Sequence, residues 1–97
     1  MKTVPDKRDA PRVAFGVLVE SGMVPPGTVL TDAKRRWTAS VRADGSIACD
    51  LHAGSIHKVG AALQGAPSCN GWTFWHIDKA GDLMLLDALR QQHLAAL

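Results

Sequence analysis

Between Trp37 and Leu51 apolar residues recur at every second position on both sides of Asp44-Gly45, and this alternation predicts an antiparallel hairpin. In Trp37-Thr38-Ala39-Ser40-Val41-Arg42 the apolar set is 37, 39 and 41; in Ser46-Ile47-Ala48-Cys49-Asp50-Leu51 it is 47, 49 and 51. A two-residue Asp44-Gly45 loop would pair Val41 with Ala48 and send the two sets to opposite faces. A three-residue loop, Ala43-Asp44-Gly45 with Gly45 left-handed, pairs Val41 with Ile47, Ala39 with Cys49 and Trp37 with Leu51. Both sets then face one way, so the bulged turn is predicted. The other face carries Thr38, Ser40, Arg42, Ser46 and Asp50 and is polar.

The remaining segments read as partners for that hairpin. At 97 residues the chain is one domain. Residues 1–11, with Lys, Asp, Arg and two prolines and no periodicity, are expected to be a tail or linker. Apolar Val13, Phe15, Leu18 and Val19, closed by Ser21-Gly22, predict a helix at about 12–21. Pro25-Pro26-Gly27 turns the chain into an extended Thr28-Val29-Leu30. Ser55 is a good N-cap for a helix with Ile56, Val59, Gly60 and Leu63 on one stripe, stopped by Gly65 and Pro67. The segment from Cys69 to Ile77, "CNGWTFWHI", reads as a strand, followed by a turn from Asp78 to Asp82 around Gly81. A closing helix over Leu85 to Leu94 would turn Leu86, Leu89 and Leu94 inward and Arg90 outward, with His93 unassigned. The expected fold over residues 12–97 is α+β: a small antiparallel sheet with helices packed mainly on one face.

Several function classes fall away. No apolar run approaches the ~18 residues that span a bilayer, so no membrane partner is expected. The N-terminus lacks a secretory h-region, and two cysteines are too few for a disulfide framework. The chain reads as cytoplasmic with reduced thiols. It shows no spaced acid–base pair, no Gly-x-Ser-x-Gly elbow and no Gly-rich phosphate loop. Cys49, His52, Cys69 and His76 are four residues of zinc-ligating type, but their spacing fits no familiar finger and Cys49 lies on the predicted core face. Buried free thiols are the favoured reading, and no metal ligand is assigned.

Binding chemistry is better represented. The formal net charge is only +2, yet Lys34-Arg35-Arg36 forms a basic run directly before Trp37. Such a patch suits nucleic acid, and it equally suits a solvated turn between strands. The helix start at Ser55 adds His57 and Lys58 to the unpaired N–H groups of a first turn, which makes a phosphate seat; the bland alternative is a plain serine cap. On a strand, Trp72, Phe74 and His76 would face one way and Thr73, Trp75 and Ile77 the other. A domain this small seldom covers both faces of its sheet, so one indole is expected to be partly exposed. There it would stack on an unpaired base for ~1–3 kcal/mol, with the Asn70 amide beside it to hold a base edge or sugar-phosphate. The alternative is that both tryptophans are structural.

The stretch "RVAFGVLVESG…PGTVLTDAKRRWTASVRADGSI…GSIHKVGAALQGAPSCNGWTFWH" resembles the C-terminal domain of the cell-cycle-regulated adenine DNA methyltransferases, a domain of the restriction-enzyme and adenine-methylase-associated (RAMA) type. The likeness runs from about Arg12 to Arg90 and is densest at Gly54–Gly60 and Asn70–Trp75. It implies a non-catalytic DNA-recognition domain of an enzyme that methylates adenine N6 in GANTC. The domain would grip phosphates and unpaired bases and help open the duplex. The Asp-Pro-Pro-Tyr and Phe-x-Gly-x-Gly motifs of the catalytic half are absent from these residues. The resemblance therefore implies no cofactor here, S-adenosylmethionine belonging to the catalytic domain. Carried over position by position, it assigns phosphates to Ser55, His57 and Lys58, and unpaired bases to Asn70 and Trp72. Long-range attraction falls to Lys34, Arg35 and Arg36, and a backbone contact to Arg90. Trp75 would be the core indole and Trp72 the exposed one. The implied partners are DNA being opened, its unpaired strand, the catalytic domain of the same chain, and a second copy in a full-length homodimer. The competing expectation is a protein-interaction module, in which the aromatic face docks on that catalytic domain or on a second copy.

Overall fold

The hairpin turn forms with the three-residue geometry the alternation requires. In a computed structural model that describes residues 14–96, strands β2 (Thr38–Val41) and β3 (Ile47–Cys49) pair with Val41 opposite Ile47 and Ser40 opposite Ala48. Gly45 takes φ +86, the conformation a residue without Cβ adopts freely. The Asp44 carboxylate accepts from the Ser46 N–H (2.9 Å) and hydroxyl (2.6 Å), which ties the turn.

The hairpin ends sooner than its apolar pattern suggests, because Leu51 does not pair with Trp37. Asp50 takes φ +50, a conformation Asp tolerates better than most side chains, and the chain reverses into β4 (His52–Gly54), with Cys49 opposite His52. Leu51 is left at the tip, 97% exposed. On the other side, β1 (Val29–Thr31) pairs antiparallel with β2 and with β5 (His76–Lys79), and β5 pairs with β6 (Asp82–Leu85). The six strands lie in the order β4-β3-β2-β1-β5-β6. The expected turn at 78–82 is tighter than predicted: Ala80 and Gly81, both at positive φ, join β5 to β6.

The segment "CNGWTFWHI" is not one strand. Its middle is a single helical turn, α3 (Gly71–Phe74); the backbone is extended from Trp75, and β5 begins at His76. Asn70 decides this: its side-chain oxygen accepts the Trp72 N–H at 3.1 Å, the N-cap role that Asn fills well. Trp72 within that turn and Trp75 directly after it are both buried.

α1 (Phe15–Glu20) covers the described part of the first predicted helix; residues 1–11 and the beginning of that helix lie outside the described residues. α2 (Ile56–Gln64) begins and ends as its caps dictate. The Ser55 hydroxyl accepts from the Lys58 N–H, and Gly65 closes the helix at φ +64. α4 (Leu86–Ala95) follows β6 directly. Phe15, Leu18 and Val19 of α1, Ile56 and Val59 of α2, Trp72, Trp75, and Leu86 and Leu89 of α4 share one core with Leu30, Ala39, Val41, Ile47, Cys49 and Ile77 of the sheet. Thr38 and Ser40 alternate outward and are exposed. The fold is therefore α+β, its helices gathered on the apolar face of an antiparallel sheet.

Candidate nucleic-acid interface

The start of α2 is polar and lines two clefts. Ser55, His57 and Lys58 are all exposed, and the first turn carries no acidic residue. Ser55 Oγ takes the Lys58 N–H at 3.0 Å, so the N–H groups of Ile56 and His57 remain as the donors that a first helical turn cannot use internally. The imidazole of His57 is oriented by α3, since its Nδ1 accepts the Gly71 N–H at 2.8 Å. That bond places the ring proton of the neutral side chain on Nε2. One cleft of about 370 Å³ is lined by Ser55, Ile56 and His57 together with Phe15, Trp72 and the Asp44-Gly45 turn. A second, about 530 Å³, runs from Ser55, His57 and Lys58 to Pro67, Ser68 and Cys69. The serine-capped helix end thus sits between two open clefts.

Trp72 and Asn70 adjoin this centre in roles other than those expected. Trp72 is 6% exposed and Trp75 fully buried, so no face of the Trp72 ring is open to a base. Phe15 meets it edge-on at 6.1 Å, and the Arg90 guanidinium lies 4.8 Å from its centroid. Arg90, expected to point outward, therefore folds back over the indole, and its Nη2 is in ion-pair contact with Asp87. Its Nε is buried with no hydrogen-bond partner among the described residues. Asn70 uses its side-chain oxygen to cap α3, while the residue itself stays exposed next to His57's partner Gly71. Trp75 is pinned in the core by its Nε1–H, which donates to the Ile56 carbonyl at 3.0 Å.

The basic run lies apart from the α2 start and is largely compensated. Asp32, 2% exposed, accepts from the Arg36 N–H (2.6 Å), the Trp37 N–H (3.0 Å) and Arg36 Nε (2.9 Å). Burial alone pushes the Asp32 carboxyl up. The hydrogen bonds from the Arg36 side chain and from the Trp37 and Arg36 backbone outweigh it and hold the group below the usual carboxylate range. Arg35 stands at φ +57, forms an ion pair with Asp78 and donates to the Gly81 carbonyl at 2.9 Å. Two of the three cations thus face carboxylates, and Lys34 alone pairs with no carboxylate among the described residues. Asp32 and Asp78 were not legible as partners of the run, because they reach it only through a tight turn and a distant hairpin.

Both cysteines are free thiols, Cys49 buried and Cys69 half-buried. Burial, with the nearby Asp50 charge, raises Cys49 above the ordinary thiol range. Cys69 packs against α2 where a Cβ on Gly60 would come within 2.7 Å of its sulfur.

Comparison with known proteins adds an independent line. The profile of the family described as Restriction Enzyme Adenine Methylase Associated matches residues 2–97. The chain is also similar to the Type II methyltransferase M.HinfI of Haemophilus influenzae, 26% identical over 83 residues. That alignment covers 86% of this chain but 23% of the relative.

Proposed function

Since the chain belongs to the Restriction Enzyme Adenine Methylase Associated (RAMA) family, we propose that it is the DNA-recognition domain of an adenine-specific DNA methyltransferase. The observation that supports a DNA grip is the α2 start: free N–H groups, a hydroxyl, an outward imidazole N–H and an ammonium, with no acid in that turn, between two open clefts. Such a site takes a phosphate oxygen through backbone donors and a positive dipole end. In this reading the catalytic domain, outside this chain, holds S-adenosylmethionine and methylates adenine N6 within GANTC, as in the cell-cycle-regulated enzymes that the sequence resembles. The domain steadies phosphates while the duplex opens, an opening that costs a few kcal/mol per extruded base.

The test is titration of the domain with duplex, bubbled and single-stranded DNA at two salt concentrations, read by fluorescence anisotropy. Binding is expected to weaken steeply with salt, because phosphate contacts release counterions. Ser55→Asp separates the seat from the cap. Asp caps a helix as well as Ser does, so thermal stability should hold, while a carboxylate at the seat should lower affinity by about tenfold, equivalent to ~1.4 kcal/mol. Unchanged affinity in Ser55→Asp would remove the α2 start from the interface. Docking to the catalytic domain and dimerisation of the full-length enzyme belong to the same proposal, with Leu51 (97% exposed) and Val29 (50%) as apolar contact surface. A tight dimer in sedimentation, without DNA affinity at low salt, would replace the DNA grip with an interaction module.

A further inference from the structure

Of the three tryptophans, Trp72 and Trp75 are buried, and the indole that reaches the surface is Trp37. Trp37 packs beside Phe74, with ring centroids 6.2 Å apart and planes tilted by 33°. Over the ring sits the Arg36 guanidinium, its Cζ 4.4 Å from the centroid. Arg36 is an unusually constrained surface arginine. Its side chain is 51% exposed, yet Nε is held by Asp32 Oδ2 at 2.9 Å, and the backbone N–H groups of Arg36 and Trp37 are bound by the other oxygen of the same buried carboxylate. On the far side of the loop, Arg35 anchors to Asp78 and to the Gly81 carbonyl of the β5–β6 turn.

From this geometry we propose that Arg36, seated on Trp37 and locked by Asp32, is a stacking plate for one unpaired nucleobase. The inference rests on the DNA-binding reading above and deepens it, because it moves the base contact from the sealed Trp72 ring to this loop. The indole lies against the guanidinium, with Cζ 4.4 Å from the ring centroid, and half of the side chain remains exposed, which leaves guanidinium surface open to a base. Bases stack on arginine planes as they do on aromatic rings, without regard to sequence. The loop removes most of the conformational freedom that a long side chain otherwise loses on binding. The terminal nitrogens Nη1 and Nη2 make no hydrogen bond among the described residues, so they are free to donate to the edge of a stacked base. Because Asp32 already offsets the Arg36 charge, the plate contributes stacking and little counterion release. Lys34, exposed beside it, supplies the charge-based attraction of the loop.

The experiment compares a single-stranded oligonucleotide with an abasic oligomer of equal length, for the wild-type domain and for Arg36→Lys, Arg36→Gln and Lys34→Ala. Arg36→Lys keeps the charge and loses the plane; Arg36→Gln gives a second readout should the lysine variant fold poorly by circular dichroism. The wild type is expected to prefer the base-bearing strand. Arg36→Lys should lose roughly tenfold on that strand and almost nothing on the abasic oligomer, with the salt slope unchanged; Arg36→Gln, which also leaves Asp32 unopposed, should weaken both but lose more on the base-bearing strand. Lys34→Ala should weaken both oligomers alike. Equal losses on both oligomers in the Arg36 variants would make Arg36 a phosphate contact and overturn the plate, as would no loss on either. A wild-type domain that binds neither oligomer would instead overturn the DNA-binding reading itself.

Discussion

The indole of Trp72 is clamped between the edge of Phe15 and the guanidinium of Arg90, and this makes it an energetic centre of the fold. Trp72→Ala is accordingly expected to destabilise the domain by about 3–5 kcal/mol, the usual cost of emptying a large aromatic site. Urea denaturation checks this, and a midpoint unchanged from wild type would show that the ring does not pack as described. The adjacent Gly71 shows how closely α3 approaches α2: a Cβ there would lie 2.7 Å from the Ile56 carbonyl carbon, which cannot swing away as a side chain does. Asn70, Gly71 and Trp72 were legible in the sequence as a group that matters. Their division of labour, one capping, one allowing close approach and one filling the core, was not. Burial depends on what the rest of the chain brings to a residue, and the local sequence carries no record of that.

Two hydrogen bonds between elements organise the candidate interface. The Gly71 N–H to His57 Nδ1 bond and the Trp75 Nε1–H to Ile56 carbonyl bond together clasp the start of α2 to α3. The far end of α2 depends on Gly65 at φ +64, a conformation that penalises any Cβ. Gly65→Ala should therefore cost roughly 1 kcal/mol, visible as a lower denaturation midpoint with an unchanged m-value. Both ends of α2 were readable in advance because capping is chemistry within four residues. The same locality made the Asp44-Gly45 turn readable. It misled at "CNGWTFWHI", where aromatic residues of high strand propensity sit in a helical turn because Asn70 caps it and the core accepts Trp72 and Trp75.

Across the whole molecule, three aspartates brace turns: Asp32 and Asp44 bond residues close in sequence, and Asp78 reaches Arg35 across 43 positions. Asp32 holds the basic loop as described; Asp44 is kept below the usual carboxylate range by the hydroxyl and N–H of Ser46, and Asp78 by Arg35 and the Gly81 N–H. Each folded-state pKa is depressed, so each contribution is fully present above the unfolded value of ~3.9 and is lost as pH falls through the lower folded value. The melting temperature is therefore expected to be nearly level from pH 7 to about 5 and to decline below about pH 4. Thermal unfolding followed by circular dichroism at stepped pH measures this. No acid-side decline down to pH 2.5 would show that these carboxylates are not held in solution. Sheet order belongs to the same scale. β1 lies between β2 and β5, and β5 comes more than 40 residues after β1, so that pairing was not visible in any window of sequence.

What this sequence determined alone is what short-range chemistry determines: a hairpin whose register follows from alternation, a helix bounded by Ser55 and Gly65, and an α+β pattern with one apolar sheet face. Family membership was legible for a related reason, since ordered blocks of residues survive without reference to coordinates. Tertiary structure alone decided which tryptophan meets solvent and which cations keep their charge unopposed. Exposure and ion pairing depend on neighbours that sequence alone does not place, and Phe15, Asp78 and Arg90 reach Trp72 and Arg35 only once helices and sheet have packed together.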